Sequence, residues 1–157
     1  MLFFRFRKTS PISSLEPGTV VIIEGTVVPK TELSLRGTGD KCVFYALTQE
    51  SFRLSERGGR KLWLVDQYEQ QASGFYLDDG TGKLYIPIQP VVMDMRGGHV
   101  VTADIGGAGQ KRIYARIVRG KDRLRLHGTI DKPYGKEPSD SLVLRPAPDG
   151  KILGLAR

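Results

Sequence analysis

Few residues in this chain are able to do covalent or metal chemistry. Of its 157 residues, one is cysteine (Cys42) and two are histidine (His99 and His127). A lone cysteine forms no disulfide within the chain and points to a reducing compartment. One cysteine and two histidines also fall short of a zinc-finger, RING or zinc-ribbon site. A Cys42 nucleophile would need His99 or His127 as its base. Cys42 instead opens the apolar run CVFYAL, where a free cysteine behaves as a small buried hydrophobe. Asp78 and Asp79 are adjacent carboxylates in the run DDGT, poor partners for acid–base work and at most a weak hold on a cation. An aspartyl-phosphate loop of the form D-x-D-G-T would need aspartate at position 77, where leucine stands, so DDGT is read as a turn. The glycine-rich run 106–111 lacks the spacing of a phosphate loop, and Arg112 follows Lys111 where Ser or Thr is required. No G-x-S-x-G nucleophile elbow occurs. The expectation is a protein that is not an enzyme and carries no cofactor and no metal.

What remains is chemistry of recognition. The formal net charge is +7. Residues 111–157 carry twelve basic and five acidic residues, whereas residues 1–110 carry twelve of each, so the whole excess lies in the last third. Such a patch attracts nucleic acid, anionic lipid or an acidic protein surface, or serves only as a solvated face. Its candidate binding residues are Arg112, Arg116, Arg123 and Arg125. Trp63, Tyr68, Tyr76 and Tyr85 are the aromatic candidates for a binding face. Trp63 has the opposite parity to Leu62 and Leu64, which places it outside if the leucines point inward; a ring exposed beside basic residues can stack on bases. More often such a ring packs in a second small core or under the N-terminal arm, and that is the reading preferred for Trp63.

These side chains need a scaffold, and the patterning is that of short strands. Pro17-Gly18 marks a turn. Residues 19–29 (TVVIIEGTVVP) are rich in β-branched side chains, with Gly25 inside, the mark of a bulge or sharp bend. Residues 42–47 form a second strand, ERGGR at 56–60 a hairpin tip, and residues 61–69 the return. Residues 75–88 (FYLDDGTGKLYIPI) make the clearest hairpin: Phe75 and Leu77 face the apolar set Leu84, Ile86 and Ile88 across a turn at Asp79-Gly80. Pro87 and Pro90 push that chain end towards a sheet edge. Residues 99–105 form another strand. Residues 111–130 place Arg112 and Arg116 on one side and alternate Leu124 and Leu126 with basic residues. Two short apolar pieces, 141–144 and 151–155, close the chain. Many short strands without helical periodicity argue for an all-β barrel or sandwich, and the fold expected is a small antiparallel β-barrel with little helix. No segment approaches the ~20 apolar residues of a membrane-spanning helix. Met1–Lys8 interleaves three phenylalanines with basic residues, as an arm that touches a membrane interface, packs on the barrel or is disordered.

Four pieces in order resemble one family. PISSLEPGTVVIIEGTVVP (11–29), DKCVFYALTQE (40–50), GFYLDDGTGKLYI (74–86) and RIYARIVRGKDRLRLHG (112–128) are similar to successive motifs of the "beside-a-membrane" (BAM) domain in GIDE/MULAN-type membrane E3 ubiquitin ligases and their prokaryotic relatives. The likeness spans residues 11–130. The chain departs from the family at Ala115, where glutamate is frequent, and at Lys121, where glycine usually precedes Asp122. It also lacks a RING and transmembrane helices, so no ligase activity is implied. The resemblance implies an OB-like domain set beside a membrane.

The organisation expected is one domain over residues 1–157: an arm (1–10), a family-like core (11–130) and C-terminal strands (131–157). The function expected is a non-catalytic, membrane-adjacent binding module for a protein partner or an anionic lipid surface. It would be cytoplasmic, at the membrane face, as part of a longer membrane-anchored protein. The alternative is an OB-fold module that binds single-stranded nucleic acid.

Overall fold

The computed structural model describes residues 8–54, 59, 61–88, 91–95, 98–106, 110–150 and 152–156. A single 3-10 turn, Ile12–Ser14, precedes the first strand. The strands are β1 Val20–Pro29, β2 Leu33–Ser34, β3 Lys41–Cys42, β4 Phe44–Leu54, β5 Lys61–Ala72, β6 Phe75–Asp78 and β7 Lys83–Ile86. They continue as β8 Val91–Asp94, β9 His99–Asp104, β10 Lys111–Val118, β11 Arg123–Asp131, β12 Leu142–Arg145 and β13 Ile152–Ala156. The chain is thus all-β, as the strand patterning requires. The tip at 56–60 lies outside the described residues except for Gly59, and so does the arm except for residues from Lys8 onward.

Five strands close a ring in the order β1-β6-β7-β12-β11 and back to β1. Four of its seams are antiparallel, whereas β12 runs parallel to β7. Numbered along the chain, the ring reads 1-2-3-5-4-1 with strands 3 and 5 parallel, an OB-like barrel. Closure depends on β1 changing partners. Val20 to Thr26 pair with β11, and Thr26 to Pro29 pair with β6. Gly25 sits at this handover. A Cβ there would stand 2.7 Å from the backbone oxygen of Asp78, so only a residue without one lets the strands cross so closely.

The barrel interior is filled by alternate residues, among them Ile23, Leu77, Leu84, Leu124 and Leu144, each with no exposed surface. β13 lies beside β11 and carries β8 in parallel on its far side. One correction concerns the end of the β6–β7 hairpin. Ile88 does not join the apolar set; it is 74% exposed, because the strand ends at Ile86 and Pro87 redirects the chain. Beyond Pro87 the chain passes to β8, which stands at the edge of the seven-stranded sheet beside β13; Pro90 lies outside the described residues.

The long connections between barrel strands form a second sheet, in the order β5-β4-β10-β9. Its near half is covered on both faces. Phe44, Ala46 and Ala72 pack against the barrel core. Tyr45, Leu47, Ile113, Ala115 and Ile117 form a separate cluster beneath Leu33, Leu35 and Cys42 of the small β2–β3 ribbon and its turn. Residues 111–130 therefore divide between two sheets. β10 pairs with β4 and β9, and after the turn β11 enters the barrel.

Candidate functional site

The pleat of β10 puts Arg112, Tyr114 and Arg116 on the face opposite Ile113, Ala115 and Ile117. Arg112 lies across from Glu50 on β4, while Phe52 lies across from Trp63 on β5. Three strands thus deliver one cluster. Arg112 Nε donates to Glu50 Oε1 at 2.7 Å. Its guanidinium lies 4.0 Å from the centroid of Trp63, close enough for a cation–π contact. Trp63 meets Phe52 edge to face, with centroids 5.3 Å apart. The indole is half-buried, whereas Leu62 and Leu64 are exposed (42% and 44%). Trp63 thus packs, against Phe52 and Arg112, whereas Leu62 and Leu64 on the other face are not covered. β5 bulges between Gln67 and Val65, at Asp66, whose carboxylate accepts from the Ser51 hydroxyl.

The other three arginines do not join this cluster. Arg116 shares the face but lies two pleats along, roughly 13 Å away, and donates to the backbone oxygen of Met95 at 3.2 Å. Arg123 and Arg125 belong to the barrel strand β11. Both reach Glu24 on β1, at 3.7 Å and 3.6 Å, and the side chain of Arg125 is only 11% exposed. The basic last third thus meets acidic partners from earlier in the chain: Glu24, Glu50, and Asp40, which lies 3.6 Å from Arg119.

Around the Arg112–Trp63 stack, the far end of the insert sheet exposes Leu54 (64%) and Val65 (59%) besides Leu62 and Leu64. Tyr68, further along β5, is also exposed. This cluster was not singled out from the sequence. The run LWLV at 62–65 breaks the polar–apolar alternation that marks a half-buried strand, and that break was the available signal.

A second surface lies on the barrel. The outward residues Tyr76 and Tyr85 face each other across β6 and β7, with ring centroids 5.4 Å apart. Lys30 lies 5.4 Å from the Tyr85 ring and Lys83 5.9 Å from the Tyr76 ring. Tyr85 is 8% exposed. Burial raises both phenol pKa values; Glu137 adds to this at Tyr85 and Asp140 at Tyr76. The loop between β11 and β12 therefore brings negative charge to this face. Arg145 holds that loop, donating to Glu137 at 2.6 Å and 2.7 Å and to Asp131 at 3.2 Å, beneath the ring of Tyr134.

Asp79, Cys42 and His99 have structural employment. Asp79 accepts from the Thr81 hydroxyl (2.6 Å) and from the backbone N–H groups of Ile12 (2.8 Å), Thr81 (2.8 Å) and Gly82 (3.2 Å). Burial opposes its ionisation, but these donors outweigh it and lower the carboxyl pKa. Asp79 clasps the 3-10 turn to the β6–β7 hairpin. The Cys42 thiol, with no exposed surface, is pushed up to about 11 by burial and then by Asp40 and Glu32, which leaves it protonated and unreactive. His99 Nε2 lies 2.8 Å from Asp122 Oδ1 and ties β9 to the turn before β11. His127 lines an open cavity of about 380 Å³ with Lys8, Ser10, Val20, Val21 and Ile22. Among the described residues, no group of three or more His, Cys, Asp or Glu side chains is placed to hold a metal ion. No helix among them is long and apolar enough to cross a membrane.

Comparisons with family models, with curated proteins and with solved structures find no match for this chain.

Proposed function

We propose that this chain is a non-catalytic binding module that works beside a membrane, with the insert sheet as its docking surface for a protein partner or an anionic lipid surface. The observation that carries the reading is the concentration of exposed apolar side chains (Leu54, Leu62, Leu64 and Val65) around the Arg112–Trp63 stack. Clustered exposed apolar residues mark interaction sites, whereas scattered ones do not. The ordered likeness of residues 11–130 to a BAM domain supports the membrane setting. So does the basic excess of the chain, which favours an anionic counterpart.

A second reading, binding of single-stranded nucleic acid, draws on the barrel face, where Lys30 and Lys83 flank the Tyr76–Tyr85 pair. OB-like barrels use that face and its adjoining loops for oligonucleotides. Here Tyr85 has too little exposed surface to stack on a base, and Glu137 and Asp140 repel phosphate. The insert sheet is the better surface.

The deciding experiment pairs co-sedimentation on anionic and neutral liposomes with fluorescence-anisotropy titrations of single-stranded DNA and RNA, each at low and physiological salt. Weak or absent nucleic-acid binding is expected. Tight binding with a steep salt dependence, lost on changing Lys30 and Lys83 to Gln, overturns the first reading in favour of the second, because each neutralised phosphate contributes roughly 0.7–0.9 to the log–log slope.

A further inference from the structure

The far end of the insert sheet has a geometry that separates the two classes of occupant left open above. The β4–β5 register sets Leu54 opposite Lys61, Arg53 opposite Leu62, Phe52 opposite Trp63, Ser51 opposite Leu64 and Glu50 opposite Val65. Side chains alternate across the pleat, so Leu54, Trp63 and Val65 lie on one face and Leu62 and Leu64 on the other. All four aliphatic residues are exposed. A flat protein surface would cover one face of this ribbon end and leave the other wet. A lipid interface that the ribbon end dips into covers both faces at once.

Charge and aromatic placement agree with a lipid occupant. The Arg53 and Lys111 side chains are exposed at this end. Long basic side chains beside apolar ones reach up to anionic headgroups while their neighbours enter the acyl boundary. Tryptophan favours the same level. Trp63 is held there by Phe52 and Arg112. Depth is limited by the backbone. Among the described residues β5 is an edge strand of its sheet, with one row of N–H and C=O groups unpaired by strand, which an interface hydrates and a hydrocarbon core does not. An insertion of roughly 5–10 Å, the depth of interfacial segments, meets both requirements.

We infer that the end of the β4–β5 ribbon, through Leu54, Leu62, Leu64, Val65 and Trp63 with Arg53 beside them, is a shallow insertion element for anionic lipid surfaces. This rests on the docking role given to the insert sheet above and names its occupant.

The chain has one tryptophan, so selectively excited tryptophan emission reports on this element alone. The full chain is titrated with vesicles of phosphatidylcholine and of phosphatidylcholine mixed with phosphatidylserine, with Trp63 emission and co-sedimentation followed together. The expected result is binding to the anionic vesicles, a blue shift of Trp63, and partitioning weakened about tenfold or more in Leu62→Asp/Leu64→Asp, in line with the lost apolar burial. Leu54→Ser, a single change at a 64% exposed position, gives a smaller loss and decides the matter should the double variant misfold by circular dichroism. Binding with an unmoved Trp63 and indifferent variants overturns the insertion element but leaves a membrane-face module standing. Equal binding to neutral vesicles overturns the anionic specificity. No binding to either vesicle, with no binding of nucleic acid, overturns the lipid occupant and leaves a protein partner. No vesicle binding together with tight nucleic-acid binding overturns both readings.

Discussion

In the barrel, each of the five ring strands has a neighbour on both sides, and the carboxylates on its rim are tied to nearby donors: Asp79 to four of them, Glu137 and Asp131 to Arg145. In the insert sheet, β5 and β9 have one strand neighbour each among the described residues, and large apolar side chains stand in water along β5. The two regions are made of the same kind of strand. What differs is whether the far face of each residue meets the protein or the outside. A ring removes its edges by closing, while an open sheet keeps them and manages them, here with the bulge at Asp66. The contrast places the closed core in the barrel and the exposed apolar surface on the sheet, the surface proposed above for docking.

The contrast breaks most visibly in paired substitutions. Leu124→Ala, in the barrel core with no exposed surface, is expected to cost about 3 kcal/mol in urea unfolding. Leu62→Ser on the insert sheet is expected to stay within about 0.5 kcal/mol, as surface changes do. A cost above about 2 kcal/mol for Leu62→Ser would show the exposed cluster to be structural and remove it as a docking surface.

Next in size is the Asp79 clasp. Asp79→Ala leaves the N–H groups of Ile12, Thr81 and Gly82 without their acceptor, with an expected cost of about 2 kcal/mol at pH 7. The folded pKa of Asp79 is lowered. Its contribution is therefore full above the unfolded carboxyl value of about 3.9 and is lost as the pH falls through the lower folded value. The gap between wild type and Asp79→Ala, followed by denaturation from pH 7 downward, should narrow only at strongly acidic pH. A gap that closes already near neutral pH would show another group at work.

The insert-sheet stack should show a smaller coupling. A double-mutant cycle with Arg112→Ala and Glu50→Gln is expected to yield about 1 kcal/mol, since the pair is partly shielded from water but not buried. Arg112→Ala should also shift Trp63 emission by removing the guanidinium from the indole face. An unchanged spectrum would mean that the stack is not maintained in solution.

The smallest effect is at Lys121, which has φ +74°, the sole positive-φ residue other than glycine among those described. Its N–H donates to Val27 at 2.8 Å, so the turn is held in place whatever the side chain. Lys121→Gly relieves a strain of roughly 1–2 kcal/mol but adds freedom to the unfolded chain, for a net gain of about 0.5 kcal/mol seen as a slightly higher melting temperature. A loss on substitution would show that the lysine side chain makes a contact worth more than the strain.

Much of the barrel was legible in the residues themselves. Gly25 announced the bend at which β1 changes partners, and the DDGT turn between Phe75-Leu77 and Leu84-Ile86 announced the β6–β7 hairpin. Both are local signals: a glycine that makes room for a crossing, and a turn whose side chains cap their own backbone. The scarcity of Cys and His likewise bounded the chemistry before any geometry was known.

Other features depended on which segments meet across long separations, which no local pattern encodes. Residues 111–130 read as one basic unit, yet β10 and β11 enter different sheets, so Arg112 stacks on Trp63 while Arg125 lies over Glu24. Ile88 was expected inside because alternation continues through it, but the strand stops two residues earlier. Leu62 and Leu64 are left exposed because their strand runs out beyond the barrel, where no core decides which parity is inward. Composition and local patterning thus determined the strands, the turns and the absence of an evident catalytic set in the sequence. Tertiary pairing alone decided which charges meet acids and which apolar side chains are left exposed, because those outcomes depend on contacts between residues far apart along the chain.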